Sequence, residues 1–209
     1  MDHFSILVII RIPAILIALT IHELSHGYVA KVLGDDTAER KGRLTLNPIA
    51  HIDPFGALML LFGPFGWAKP VPVNPMNFTN PIEGMAFVAV AGPLSNIILA
   101  AVTGLFFRFG IAEMNSMFAA FLYILFMINI GIAVFNLLPV YPLDGSRILL
   151  AFLKGDQRVI YVKAMRVVPK IFLGMIVAEW ILNIPIISYI LNPLFIPAFN
   201  LAKTIFMGN

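Results

Sequence analysis

Cysteine is absent from this 209-residue chain, and charged side chains make up only 12% of it. The first absence removes disulfides and thiolate ligands, leaving His, Asp and Glu as the strong metal ligands on offer. The second sets the chain far from the roughly 25% charge of an ordinary soluble domain. The net charge of +3 is small, and the basic residues gather in loops rather than in an aromatic-interleaved patch, so no nucleic-acid partner is expected. What fills the chain instead is apolar: 60% of residues are hydrophobic and the mean hydropathy is +0.92.

That balance reads as an integral membrane protein, all-α and polytopic, with about four to five transmembrane or interfacial helices. Residues 4–32, 85–107, 117–138 and 171–191 each hold an apolar run of about 20 residues, the length that crosses a bilayer as a helix. Residues 194–206, after Asn192-Pro193, read as a short interfacial helix. The first run starts beside an acidic residue, Asp2, and outlasts the usual core of a signal peptide, so it is not expected to be cleaved. No repeat or low-complexity tract divides the chain. The expected organisation is one membrane-embedded domain over residues 1–209, with a core at 4–153 and additional helices at 154–209.

Inside the first apolar run stands Thr20-Ile21-His22-Glu23-Leu24-Ser25-His26-Gly27. On a helix, His22 and His26 share one face about one 5.4 Å turn apart, which suits two ligands of a tetrahedral zinc. Glu23 follows the first ligand and reaches a water at the metal without coordinating it, the general-base position of the H-E-x-x-H metalloprotease pattern. The competing reading is a helix with two buried histidines. Three polar side chains in an apolar helix are costly without a partner such as a metal.

Two segments carry most of the positive charge: residues 34–46, with Arg40, Lys41 and Arg43, and residues 147–170, with Arg147, Lys154, Arg158, Lys163 and Arg166. The positive-inside rule puts both in the cytoplasm. The first and third spans then run in the same direction, so His22 and His26 near the end of one lie at the depth of Asp144, just past the end of the other. The site is expected on the cytoplasmic side of the cell membrane.

Between the first two spans, residues 47–81 are too apolar for a loop and too interrupted for a span. A re-entrant, β-hairpin-like segment near residues 55–75 fits best, beside the active site, because non-helical backbone at membrane depth is tolerated only against protein or water. The valines of Lys69-Pro70-Val71-Pro72-Val73-Asn74-Pro75 alternate with prolines, which confines the stretch to an edge. His51 and Asp53 read as hydrogen-bonding groups at the base of this loop rather than as alternative ligands. Asn96, in mid-span, has functional and helix-tying readings of equal standing. Glu179 reads as lining a polar path or as a helix contact. Pro139 and Pro142 preclude a regular helix and free Asp144 to turn inward, while Gly145 permits close approach or a positive φ.

Taken together, His22 to Gly27, Gly42-Arg43-Leu44-Thr45-Leu46-Asn47-Pro48, Gly66 to Pro75, Ala91-Gly92-Pro93-Leu94-Ser95-Asn96 and Asn136 to Gly145 resemble the site-2 proteases, intramembrane zinc metalloproteases, in order and over about residues 20 to 150. The resemblance is to the small branch of that family without PDZ-like or CBS-like domains. It implies cleavage of a transmembrane-protein substrate within the bilayer, one Zn2+ held by His22, His26 and Asp144, and Glu23 as base. It further implies that Asn96 positions substrate or stabilises an oxyanion, and that Val71, Val73 and Asn74 belong to a substrate-binding edge. Two other readings compete: a membrane metal transporter, and a catalytically silent relative that binds helices. Intact Glu23 beside the ligand pair speaks against both, as does the lack of a two-half repeat against the transporter.

Overall fold

The computed structural model describes residues 3–54, 56, 68–112, 116–182 and 184–208. These residues are mostly helical and contain no strand: α1 (His3–Val32), α2 (Thr37–Arg40), α3 (Pro81–Arg108), α4 (Met117–Asn136), α5 (Asp144–Phe152), α6 (Gly155–Ala164), α7 (Val168–Leu182) and α8 (Ile186–Met207), with single 3-10 turns at Pro48–His51 and Pro75–Asn77. Among the described residues, four stretches are long and apolar enough to cross a membrane: Ile9–Val32, Pro81–Arg108, Met117–Asn136 and Ile186–Met207.

Local chemistry sets the ends of these helices. The Asn80 side chain accepts from Ile82 N and Glu83 N at the start of α3, with Pro81 in the first turn where its missing N–H costs nothing. Ser116 caps α4 through Ala119 N, and Gly208, with φ +84°, closes α8. The bundle is organised around α3. Helices α1 and α4 run antiparallel to it, and α8 runs beside it in the same direction, so that Arg108 Nη1 donates to Ile205 O at 2.7 Å and Gly104 lies against Phe206. Contacts are made by small residues, with Ala14, Ala18 and Ala100 fully buried, as befits helices that approach closely without a hydrophobic drive between them. Large side chains such as Ile9, Phe87 and Ile98 face outward, toward hydrocarbon.

The fourth span differs from the expectation. The stretch 171–191 is not one helix: α7 stops at Leu182 and α8 restarts at Ile186 after Pro185, while the short interfacial helix expected at 194–206 is part of the 22-residue α8. Proline at 185 breaks the chain where a polar group rescues it, since Glu179 Oε2 accepts from Ile187 N at 2.8 Å. Pro193 and Pro197 lie inside α8, because in a bilayer losing single helical bonds costs less than exposing a whole turn of backbone. Of the two readings of Glu179, the structure displays the helix contact.

Most of the expected hairpin, residues 55 and 57–67, lies outside the described residues. Its base is described: Ile52 and Ala68 form an isolated antiparallel bridge, and Lys69 N donates to His51 O at 2.9 Å. After it, residues 69–74 form neither helix nor strand; Pro70 and Pro72 bias the residues before them to extended backbone, and Asn74 is extended where it enters the 3-10 turn.

Candidate active site

On α1, His22, Glu23 and His26 are all buried, with α3 against the two imidazoles and Asp144 at the start of α5 beside them. His22 Nε2 and His26 Nε2 are 3.0 Å apart, and Asp144 Oδ2 is 3.3 Å from each. Four-coordinate zinc with ligands at about 2.0–2.1 Å has ligand–ligand edges of roughly 3.3 Å, so this triangle has the dimensions of one face of such a site.

Outer partners decide what the three atoms offer. His26 Nδ1 lies 2.7 Å from Val88 O, a carbonyl that can only accept, so Nδ1 carries the proton and Nε2 a lone pair. For His22 the logic takes two more steps. Asn129 Nδ2 donates to Leu125 O at 2.7 Å, which points Asn129 Oδ1 at Asn96. Asn96 Nδ2 then donates to Asn129 Oδ1 at 2.7 Å and to Ala18 O at 3.2 Å, which leaves Asn96 Oδ1 facing His22 Nδ1 at 2.6 Å. That nitrogen too is the donor, and His22 Nε2 is a lone pair. Asp144 Oδ2 is buried without a hydrogen-bond partner. Three acceptor atoms converge with no donor among them, which is a seat for a cation. Both amide hydrogens of Asn96 are spent inside this chain of bonds.

Glycines explain how the separate motifs meet. A Cβ on Gly92 would lie 2.5 Å from His22 Cε1 and from His26 Nε2, so α3 meets the imidazoles with bare backbone. Gly145 presses against Leu137 O and Leu138 O; it serves close approach, and its φ is not positive. A Cβ on Gly27 would reach Leu44 Cδ2 at 2.6 Å and Val71 Cγ1 at 3.0 Å, which lets the extended segment lie on the motif helix.

There, Val71 N donates to Glu23 Oε2 at 2.7 Å. The Val71 side chain is buried, Val73 packs against the cluster of Ala30, Phe78 and Val88, and the Asn74 side chain caps the following turn through Met76 N. Asp35 fixes the far end of the segment. Fully buried just after α1, it accepts from Asn74 N at 2.7 Å, Asn77 Nδ2 at 2.6 Å, Thr37 Oγ1 at 2.5 Å and Thr37 N at 3.1 Å. Burial pushes the Asp35 carboxyl up, but these donors hold it below the usual carboxylate range. Lys69 O receives Arg43 Nη2 at 2.8 Å. Among the described residues, the carbonyls of 70–73 receive no bond, and of the segment's four N–H groups only that of Val73 is unspent.

His51 Nε2 bonds Thr45 O at 2.9 Å and Asp53 Oδ1 accepts from Gly56 N at 2.9 Å. Both therefore serve the base of the loop, and neither joins the group that could hold a metal, His22, His26 and Asp144. Sequence reading alone missed Asn129 and Asp35. Each left a signal: an amide in the apolar run Met127-Ile128-Asn129-Ile130, and an Asp two residues before a Thr in the turn leaving the motif helix.

Residues 108–178 match the model of peptidase family M50. The chain is 44% identical over 162 residues to a Bacillus subtilis protein named provisionally as a zinc metalloprotease, an alignment covering 71% of this chain and 73% of the relative. It is 27% identical over 155 residues to a zinc metalloprotease of Methanocaldococcus jannaschii, covering 74% of this chain and 37% of that protein. A Mycolicibacterium smegmatis protein, also named provisionally as a zinc metalloprotease, is 28% identical over 142 residues, 66% of this chain and 54% of its own. No solved structure matches significantly. Likeness of this degree over most of two chains is shared descent, and this multi-pass membrane protein belongs to peptidase family M50, the site-2 proteases, which are zinc metalloproteases.

Proposed function

We propose that this metalloprotease is an intramembrane endopeptidase that hydrolyses a peptide bond within or near a transmembrane segment of a membrane-protein substrate, with its active site toward the cytoplasm. The observation that carries the proposal is the triangle of His22 Nε2, His26 Nε2 and Asp144 Oδ2, with edges of 3.0, 3.3 and 3.3 Å, formed where the spanning helix α1 meets the start of α5, with Glu23 next to His22 in the chain. The orientation rests on the two basic segments between spans, residues 34–46 and 147–170.

His22, His26 and Asp144 would hold the zinc, which when bound supplies Lewis acidity at an open fourth position. Glu23 has one oxygen fixed by Val71 N–H and the other free to take a proton from the attacking water and return it to the leaving amine. Asn96 acts as a positioning residue: its amide hydrogens are engaged with Ala18 and Asn129, and its oxygen holds the His22 ring. This replaces the oxyanion role that the resemblance implied. The segment carrying Val71, Val73 and Asn74 offers carbonyls to an extended substrate rather than side chains.

The test is cleavage of single-span proteins co-expressed with the wild type or Glu23→Gln. Loss of cleavage with zinc content unchanged is expected; cleavage retained by Glu23→Gln overturns the mechanism.

A further inference from the structure

Beyond the metal site, α5, α6 and the start of α7 enclose a cleft of about 530 Å³ whose walls are mainly apolar, with Leu150, Val162 and Met165 among them. Three cations also line it: Arg147 from α5, Arg166 after α6 and Lys170 from α7. None of the three forms an ion pair with a described carboxylate; the pairs found elsewhere are Lys31–Glu39, Arg40–Asp36 and the histidines with Asp144. Three like charges around one apolar cavity repel each other and call for an anion. The surroundings say which kind. Phe152, Ile160 and Ile171, on the same three helices, are 76%, 65% and 55% exposed, a cost in water that hydrocarbon removes. A small soluble anion would satisfy the cations and leave the apolar walls bare. An amphiphile with an anionic head satisfies both.

We propose that this cleft seats an anionic phospholipid of the surrounding bilayer, its phosphate between Arg147, Arg166 and Lys170 and an acyl chain along Leu150 and Met165. The seat is joined to the metal site through Tyr161, whose hydroxyl hydrogen is shared between Pro139 O at 3.0 Å and Ser146 O at 3.3 Å, on either side of Asp144. A lipid that draws α5 and α6 together thereby steadies the segment carrying Asp144. The inference stands apart from the proteolytic reading, since it concerns binding by the chain alone.

Delipidated, zinc-loaded protein in neutral detergent is titrated with phosphatidylglycerol, phosphatidylcholine or inorganic phosphate, and its thermal unfolding is followed. Phosphatidylglycerol should raise the unfolding temperature saturably, and the other two should not. With each surface cation contributing on the order of 1 kcal/mol toward an anionic lipid, Arg147→Gln, Arg166→Gln or Lys170→Gln alone should weaken half-saturation about fivefold, and all three together roughly hundredfold. Arg40→Gln and Lys41→Gln in the other basic segment should respond as wild type. If the triple variant does not fold, the three single variants decide. Equal responses to both lipids, the same stabilisation by inorganic phosphate, or undiminished response in the variants overturns the proposal. So does a result in which the three cations matter only for the KM of a substrate with an acidic flank.

Discussion

The backbone N–H of Val71 donates to the Glu23 carboxylate at 2.7 Å, so the proposed base and the extended segment beside it are held in one register. Proline at 71 removes that donor and keeps the segment extended. Val71→Pro should lower kcat about tenfold with zinc content unchanged, whereas Val71→Ala, which keeps the N–H, should lower it far less. Single-turnover cleavage beside metal analysis checks this.

The bond chain from Leu125 O through Asn129 and Asn96 to His22 makes zinc affinity sensitive to residues that never touch the metal. Asn96→Ala should weaken zinc binding about 10- to 100-fold. Asn129→Ala should act in the same direction, and the double variant should fall short of the sum of the two, because both changes break one network. Competition with a chelating dye measures each value.

Gly92 has no room for a methyl group. Gly92→Ala would set a carbon 2.5 Å from both imidazoles, and the displacement should cost about 1–3 kcal/mol of stability and disrupt metal binding. Gly131→Ala is the control, since the nearest atom to its Cβ, on Phe195, is 3.8 Å away. Thermal unfolding with and without added zinc separates the two.

Asp35 ties α1 to residues 74–77, and its donors lower its carboxyl from the usual range. A group whose folded pKa is depressed stabilises the fold above its unfolded pKa and loses that contribution as pH falls through the folded value. Asp35→Asn should therefore reduce stability at neutral pH and flatten the acid limb of the stability profile. An acid limb as steep as that of the wild type would show that Asp35 does not carry it.

Much of this was legible in the sequence because it depends on spacing. The i, i+4 histidines and the carboxylate between them, the three spans nearest the N-terminus, and the shared depth of His26 and Asp144 follow from periodicity and span length. What resisted reading depends on partners distant in the chain. Pro185 and Pro193 look alike in sequence, yet one separates two helices and the other lies within one, because Glu179 receives the orphaned Ile187 N–H. Asn96 offered two readings until Asn129, 33 residues further on, was found to share its amide. The hydrogen bond between Val71 and Glu23 crosses 48 residues and leaves no local trace.

The prolines of Lys69-Pro70-Val71-Pro72-Val73-Asn74-Pro75 give the strip beside Glu23 an unusual polarity. Its amide hydrogens are missing or spent except at Val73, while the carbonyls of residues 70–73 are unclaimed among the described residues. An extended chain laid along it must bring nearly all the donors itself. If a substrate docks there as proposed, each proline it carries at a paired register would forfeit a bond that nothing on the strip can replace, and the strip would sort chains by where they lack an N–H, whatever their side chains.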